Sequence, residues 1–294
     1  MSFHLNSWLI LTIISAIVLT MQRIFQKKVL IKEHATMYLS SFCFMMWIFL
    51  LPLVLVYGVD LSIKMLILIF LNTCLAVVSW LLVVKAYRHM EISAVEPLKN
   101  FSPLILLILA FLFLSETPSV MQLIGVGFIL FGGYILEGLI HPHGFNHISI
   151  LFKGKYVHYI IVSLFLGAFS GVLDKIILSE VSVLTLMFYQ FLFASFLTFI
   201  YQSVRYKGYK DIIYSVKTNG ILIAVVAITT IISDWAYLQA ISIPTSLISL
   251  LAPVRRLTSL FIVIVGGELF HEKHIIEKTL ACLIMLVGVY FIAS

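Results

Sequence analysis

Ten apolar runs, each about 20 residues long, follow one another along almost the whole chain. They cover about 8–26, 36–57, 65–85, 92–114, 119–139, 157–178, 182–203, 219–240, 245–267 and 275–293. A helix gains about 1.5 Å per residue, so each run is long enough to cross a hydrocarbon core of ~30 Å. The short alternating segments of a membrane barrel are absent. With 11% of residues charged, 62% hydrophobic and a mean hydropathy of +1.13, the chain has too few charges to coat a soluble surface. The expected fold class is an all-α membrane protein of ten transmembrane helices. No basic residue precedes the first run and no small-residue cleavage site follows it, so it reads as a retained helix.

The runs repeat. The one long polar break, Ile140 to Lys155, separates five from five. A shift of 156 places Pro97 on Pro253, Lys99 on Arg255, Glu116 on Glu272, Gly132 on Gly288 and Tyr134 on Tyr290. A shift of 154 places Ser79 on Ser233 and Ala86 on Ala240. A shift of 148 places Ser15 on Ser163, Gln26 on Asp174, Lys27 on Lys175 and Leu30 on Leu178. Two five-helix repeats (1–139 and 156–294) around a linker (140–155) follow. Because five is odd, they lie in opposite orientations. That inverted repeat is the architecture many secondary transporters use to alternate access to a midplane site.

The net charge of +6 need not mean a nucleic-acid partner, and none is expected. Of the 19 Lys and Arg, 14 fall in loops after the odd-numbered runs, whereas the opposite side holds only Lys64 and Lys175. The positive-inside rule then places the odd loops in the cytoplasm and both termini outside. Cys43, Cys74 and Cys282 sit in apolar runs without CxxC spacing and read as small core residues. His141, His143 and His147 share the linker, and His271-Glu272-Lys273-His274 misses the HExxH spacing by one residue. No metal site and no cofactor are expected.

Charges inside the runs are the candidate site. Insertion scales put a cation at bilayer depth at roughly 2.5–3.5 kcal/mol, so such residues face a cavity or a partner. Lys99, Arg255 and Arg256 suit an anionic group, arginine as a planar fork and lysine as a point charge. Alternatively, they pair with acids such as Glu96, which shares a helix face with Lys99 and Asn100. Adjacent arginines diverge by ~100°, so at most one of the two is expected to touch substrate. Asp234 has no cation within one turn and is either a coupling group or a buried anchor. Asp174 and Lys175 read as an ion pair, or else as a gate. Pro97, Pro103 and Pro253 are candidate hinges or cavity-lining kinks. Trp80, Tyr87 and Tyr237 either stack on substrate or pack. The glycines at 125, 127, 132, 133, 167 and 171 mark close helix contacts within the chain or in a dimer, so both monomer and homodimer stay open. Glu116, Glu268 and Glu272, at run ends, read as solvated structural residues.

Taken together, the five-plus-five pattern resembles the drug/metabolite transporter superfamily, in particular its EamA-type ten-helix members. The resemblance rests on Ser102-Pro103 through Leu114-Ser115-Glu116, on Gly125 and Gly132-Gly133, and on their second-half counterparts Pro253, Gly266-Gly267-Glu268, Glu272 and Gly288. It implies a secondary transporter of small organic metabolites in a bacterial inner (plasma) membrane, and for many members both termini in the cytoplasm, against the charge count. Arg255-Arg256 and Lys99 are also similar to the Lys-Arg pair and lysine that plastid phosphate translocators place around an anionic substrate. The asparagine usual before that pair is missing, with Ala252 roughly in its place. The expected function is therefore alternating-access transport of a small metabolite with an anionic or zwitterionic group. The alternatives are a lipid flippase of the same fold, for which membrane lipid is the partner, or a membrane-embedded enzyme, for which no catalytic constellation is present.

Overall fold

The apolar runs fold as helices. The computed structural model describes residues 7–30, 33–59, 61–89, 99, 101–140, 155–206, 208–258, 260–261 and 275–293. Within these lie α1 (Ser7–Leu30), α2 (Ala35–Tyr57), α3 (Ile63–His89), α4 (Ser102–Leu114), α5 (Val120–Ile140), α6 (Lys155–Ile177), α7 (Val183–Arg205), α8 (Tyr209–Ser242), α9 (Ile248–Arg255) and α10 (Ile275–Ala293). Among the described residues there is no strand. Six helices are long and apolar enough to cross a membrane: α1, α2, α3 over Ile63–Val83, α6, α7 and α8.

Three expected boundaries differ, each for a local reason. Within the fourth run α4 begins at Ser102, and Pro103 occupies its first turn. There its missing N–H has no acceptor to lose, so it starts the helix and does not kink it. The helix of the ninth run is interrupted after Arg255, and the chain is helical again at Thr258. Pro253 cannot donate to the Ser249 carbonyl, and Arg256 N and Leu257 N then bond to Pro253 O (2.9 Å) and Val254 O (3.0 Å), tightening the chain to three-residue spacing. The eighth helix starts ten residues early, but its backbone breaks at Asn219 (φ −130°, ψ 19°), where the apolar run begins. Asn219 Nδ2 and Ser215 Oγ both donate to the Glu33 carboxylate and tie that bend to the end of α1.

The packing repeats as the sequence does. α1 lies on α8 as α6 lies on α3; α2 lies on α8 as α7 lies on α3; α4 lies on α6 as α9 lies on α1. The pairs α2–α7, α4–α9 and α5–α10 map onto themselves when the halves are exchanged. Individual bonds obey the same exchange. Ser233 Oγ donates to Ser15 O (3.0 Å) and Ser79 Oγ donates to Ser163 O (2.9 Å), the four serines matched by sequence shift.

The tightest repeat contact joins α5 to α10. A Cβ on Gly125 would stand 2.6 Å from Gly288 O, and one on Gly132 would stand 2.8 Å from Ala281 O. Residues 125 and 281, like 132 and 288, are related by the shift of 156. Gly125, Gly132 and Gly288 therefore serve a contact inside the chain. Overpacking of this kind costs about 1–3 kcal/mol, so Gly125→Ala is expected to lower the melting temperature in detergent clearly. Nothing lies within 4 Å of a Cβ on Gly127. Gly127→Ala is accordingly neutral or stabilising by up to about 1 kcal/mol. Equal melting of the two variants would contradict the close crossing.

Candidate functional site

α9 is an interior helix: Ile248, Ser249, Leu250, Leu251, Pro253 and Val254 are all buried. At its C-terminal end the pattern changes. The Arg255 side chain is 21% exposed and that of its partner Asp234 is 28% exposed. This partial exposure leaves both charges some access to solvent, which lowers the cost of holding them at this depth.

Arg255 reaches α8 with one end of its guanidinium. Nη2 donates to Asp234 Oδ1 at 2.5 Å and to Ser233 Oγ at 3.3 Å. The guanidinium carbon stands 4.2 Å above the Tyr237 ring, a stacked cation–π geometry. Asp234 is thus not a lone acid. Its cation comes from 21 residues along the chain, on another helix, where spacing within one turn cannot reveal it. Arg255 Nε is buried without a partner. All the hydrogen bonds of this side chain run through Nη2, which leaves Nε and Nη1 uncommitted.

Arg256 turns elsewhere, as the angle between neighbouring helical residues requires. Its Nη2 donates to the Lys99 carbonyl at 2.9 Å. Lys99 itself is buried. Of the three cations, Arg256 thus meets the Lys99 backbone while Arg255 turns to α8. Trp80 stacks on Phe191, with ring centroids 6.3 Å apart, and so has a packing partner. Glu96, Pro97 and Asn100 lie outside the described residues, as do His141, His143, His147, His271, His274, Glu268, Glu272 and the side chain of Tyr87.

The expected Asp174–Lys175 pair is corrected. The two side chains point to different neighbours. Asp174 Oδ1 accepts from Asn72 Nδ2 on α3 at 2.7 Å. Lys175 Nζ donates to the carbonyls of Ile241 (2.7 Å), Ile243 (3.0 Å) and Ser246 (2.9 Å), and to Ser246 Oγ (3.0 Å). It caps the C-terminal end of α8, where helix carbonyls lack partners and the dipole favours a cation. Asp174, Asp234, Arg255 and Tyr237 lie within electrostatic reach of one another.

Glu116 is also corrected: it is buried, not solvated. Its Oε1 accepts from Ile248 N (2.8 Å), and its Oε2 accepts from Ser249 N (3.0 Å) and Ser249 Oγ (2.5 Å). It caps the N-terminus of α9 while Lys175 caps the helix before it. A signal for this was present: Ile92-Ser93 with Glu272 repeats Ile248-Ser249 with Glu116 at the same shift of 156. Asn72 had no such signal, since its counterpart at a shift of 154 is Val226. Among the described residues, no three His, Cys, Asp or Glu side chains converge as a metal site would need.

Comparisons with known proteins agree with this architecture. The family model described as "EamA-like transporter family" matches residues 6–137 and again 154–294. A solved structure described only as "Crystal structure of protein" superposes with a TM-score of 0.76 at 10% identity, over 97% of this chain and 96% of that one. At that identity the likeness shows the fold alone. No curated protein matches the chain. Two consecutive matches span nearly its full length, one per repeat, and the helices are those of a multi-pass membrane protein. The chain belongs to the EamA-like transporter family.

Proposed function

We propose that the chain is a secondary transporter that carries a small organic metabolite with an anionic or zwitterionic group by alternating access between inverted halves, in a bacterial inner membrane. The observation that carries this reading is the half-used guanidinium of Arg255. One edge is held by Asp234 and Ser233, and the ring of Tyr237 supports it from below. Nε and Nη1 hold no other bond, and a carboxylate or phosphate that approached the partly exposed side of this residue would accept from Nη1. Arg256 adds positive charge within electrostatic reach of Tyr237, and Asp234 offers a zwitterion's ammonium a carboxylate.

Counterflow in proteoliposomes tests it, with labelled L-amino acids, dicarboxylates and sugar phosphates as separate pools. Exchange of at least one pool is expected above that of empty liposomes. Arg255→Lys keeps the charge opposite Asp234 but loses the fork. It is expected to slow that exchange by at least about tenfold, which is ~1.4 kcal/mol, with little change in melting temperature. Full exchange in Arg255→Lys would rule out the guanidinium as the binding group. Movement of labelled phospholipid between leaflets, with no pool exchanged, would replace this reading with a flippase.

A further inference from the structure

We propose that Asp174 is the proton-binding group of this site, with Asn72 as the partner that accommodates both of its protonation states. The inference rests on the transport reading only in placing the site on a substrate path.

The two membrane acids are not equivalent. Asp234 has the Arg255 guanidinium at 2.5 Å. Asp174 has one hydrogen-bond partner, the neutral amide of Asn72 at 2.7 Å. A carboxylate at this depth without a contacting cation is costly, and taking up a proton removes that cost. Asn72 is fully buried, and its Oδ1 has no partner. Such an idle acceptor calls for a donor. An amide presents a donor at one end and an acceptor at the other. Nδ2 satisfies the carboxylate; a half-turn of the amide brings Oδ1 to accept from the carboxylic acid.

The surroundings are mapped by the helices packed on α6, namely α3, α4, α8 and α9. α3 presents Asn72, while Cys74 lies about 200° further round that helix. α4, over Ser102–Leu114, carries no titratable residue. α8 presents Asp234 and Tyr237, and α9 presents Arg255. Lys175, the neighbour on α6, is committed to the end of α8. The Arg255–Asp234 pair is close to neutral as a unit, so one proton on Asp174 sets the net charge of the cluster. The twin position of Asp174 is Gln26 and that of Asn72 is Val226. The acid–amide pair occurs once, so it is not a packing device shared by both repeats. The proton enters from water on one side of the membrane and leaves to water on the other; no other bond changes.

Infrared difference spectroscopy of the purified full chain across the physiological pH range reads this directly. A carboxylic-acid C=O band that grows as pH falls is expected in the wild type, moved to lower pH in Asp234→Asn, where the unpaired Arg255 favours the Asp174 carboxylate, and lost in Asp174→Asn. Persistence of the band in Asp174→Asn overturns the proposal. If that variant does not fold, Asn72→Leu decides: a displaced pH midpoint supports the pair, an unmoved midpoint overturns it. Failure of the transport reading looks different, as no solute pool would exchange in wild-type liposomes whatever the band does.

Discussion

Arg255→Ala is expected to lower stability by about 2–3 kcal/mol and to abolish solute exchange, whereas Asp234→Ala in the same chain restores most of the stability and none of the exchange. Removing one partner of a fully buried ion pair costs about 3–5 kcal/mol, because a bare charge is left behind. Here the side chains are 21% and 28% exposed, so the stranded Asp234 keeps some hydration and the loss is smaller. The double variant strands no charge. It loses the cation–π contact with Tyr237 and the long 3.3 Å bond to Ser233, worth about 1 kcal/mol together. Exchange behaves differently because the uncommitted donors Nε and Nη1 go with the guanidinium. Unfolding curves and counterflow measured on the same preparations separate the two effects. If the double variant were as unstable as Arg255→Ala alone, the pair would not be the source of the loss. If it exchanged solute at the wild-type rate, Arg255 would be an anchor with no part in binding.

How far the residues could be read without coordinates depended on whether their partners lay along the chain or across it. Helix positions followed from apolar length, and the repeat followed from shifts that the serine bonds and glycine crossings reproduce atom by atom. Contacts within a helix turn were legible in the same way, which is why Arg255 and Arg256 were expected to diverge. Pairings across helices were not. Asp234 looked unpaired because its arginine stands on another helix, and Asp174 with Lys175 looked paired because adjacency in sequence is not adjacency in space. Glu116 looked solvated because it follows the end of an apolar run, yet it turns back under α9. The backbone departures at Pro253 and Asn219 sit at residues with a stated chemical reason, a missing N–H and a polar side chain that bonds Glu33.

The junction between α8 and α9 carries the other large effect. Glu116→Ala is expected to cost about 3 kcal/mol and to slow exchange by at least about tenfold, although the residue touches no part of the cluster around Arg255. Its carboxylate satisfies the backbone N–H of Ile248 and Ser249 and the hydroxyl of Ser249. A buried donor left unpaired costs about 1–3 kcal/mol, and the hydroxyl can rotate to another acceptor, so two orphaned amides set the figure. Those amides begin α9, and Arg255 closes it seven residues on. Fraying that start moves the guanidinium relative to Asp234. Glu116→Gln keeps an acceptor but not the charge that favours a helix N-terminus, so its cost falls to about 1 kcal/mol. Lys175→Met frees three carbonyls at the end of α8. It also removes a cation from the interior, which offsets part of the loss and leaves about 1–2 kcal/mol. The two charges lie within electrostatic reach of each other across the turn. The cost of Glu116→Gln combined with Lys175→Met is therefore smaller than the sum of the single costs. Strict additivity in a double-mutant cycle would mean that the caps act separately, and wild-type exchange in Glu116→Ala would mean that the start of α9 does not position Arg255.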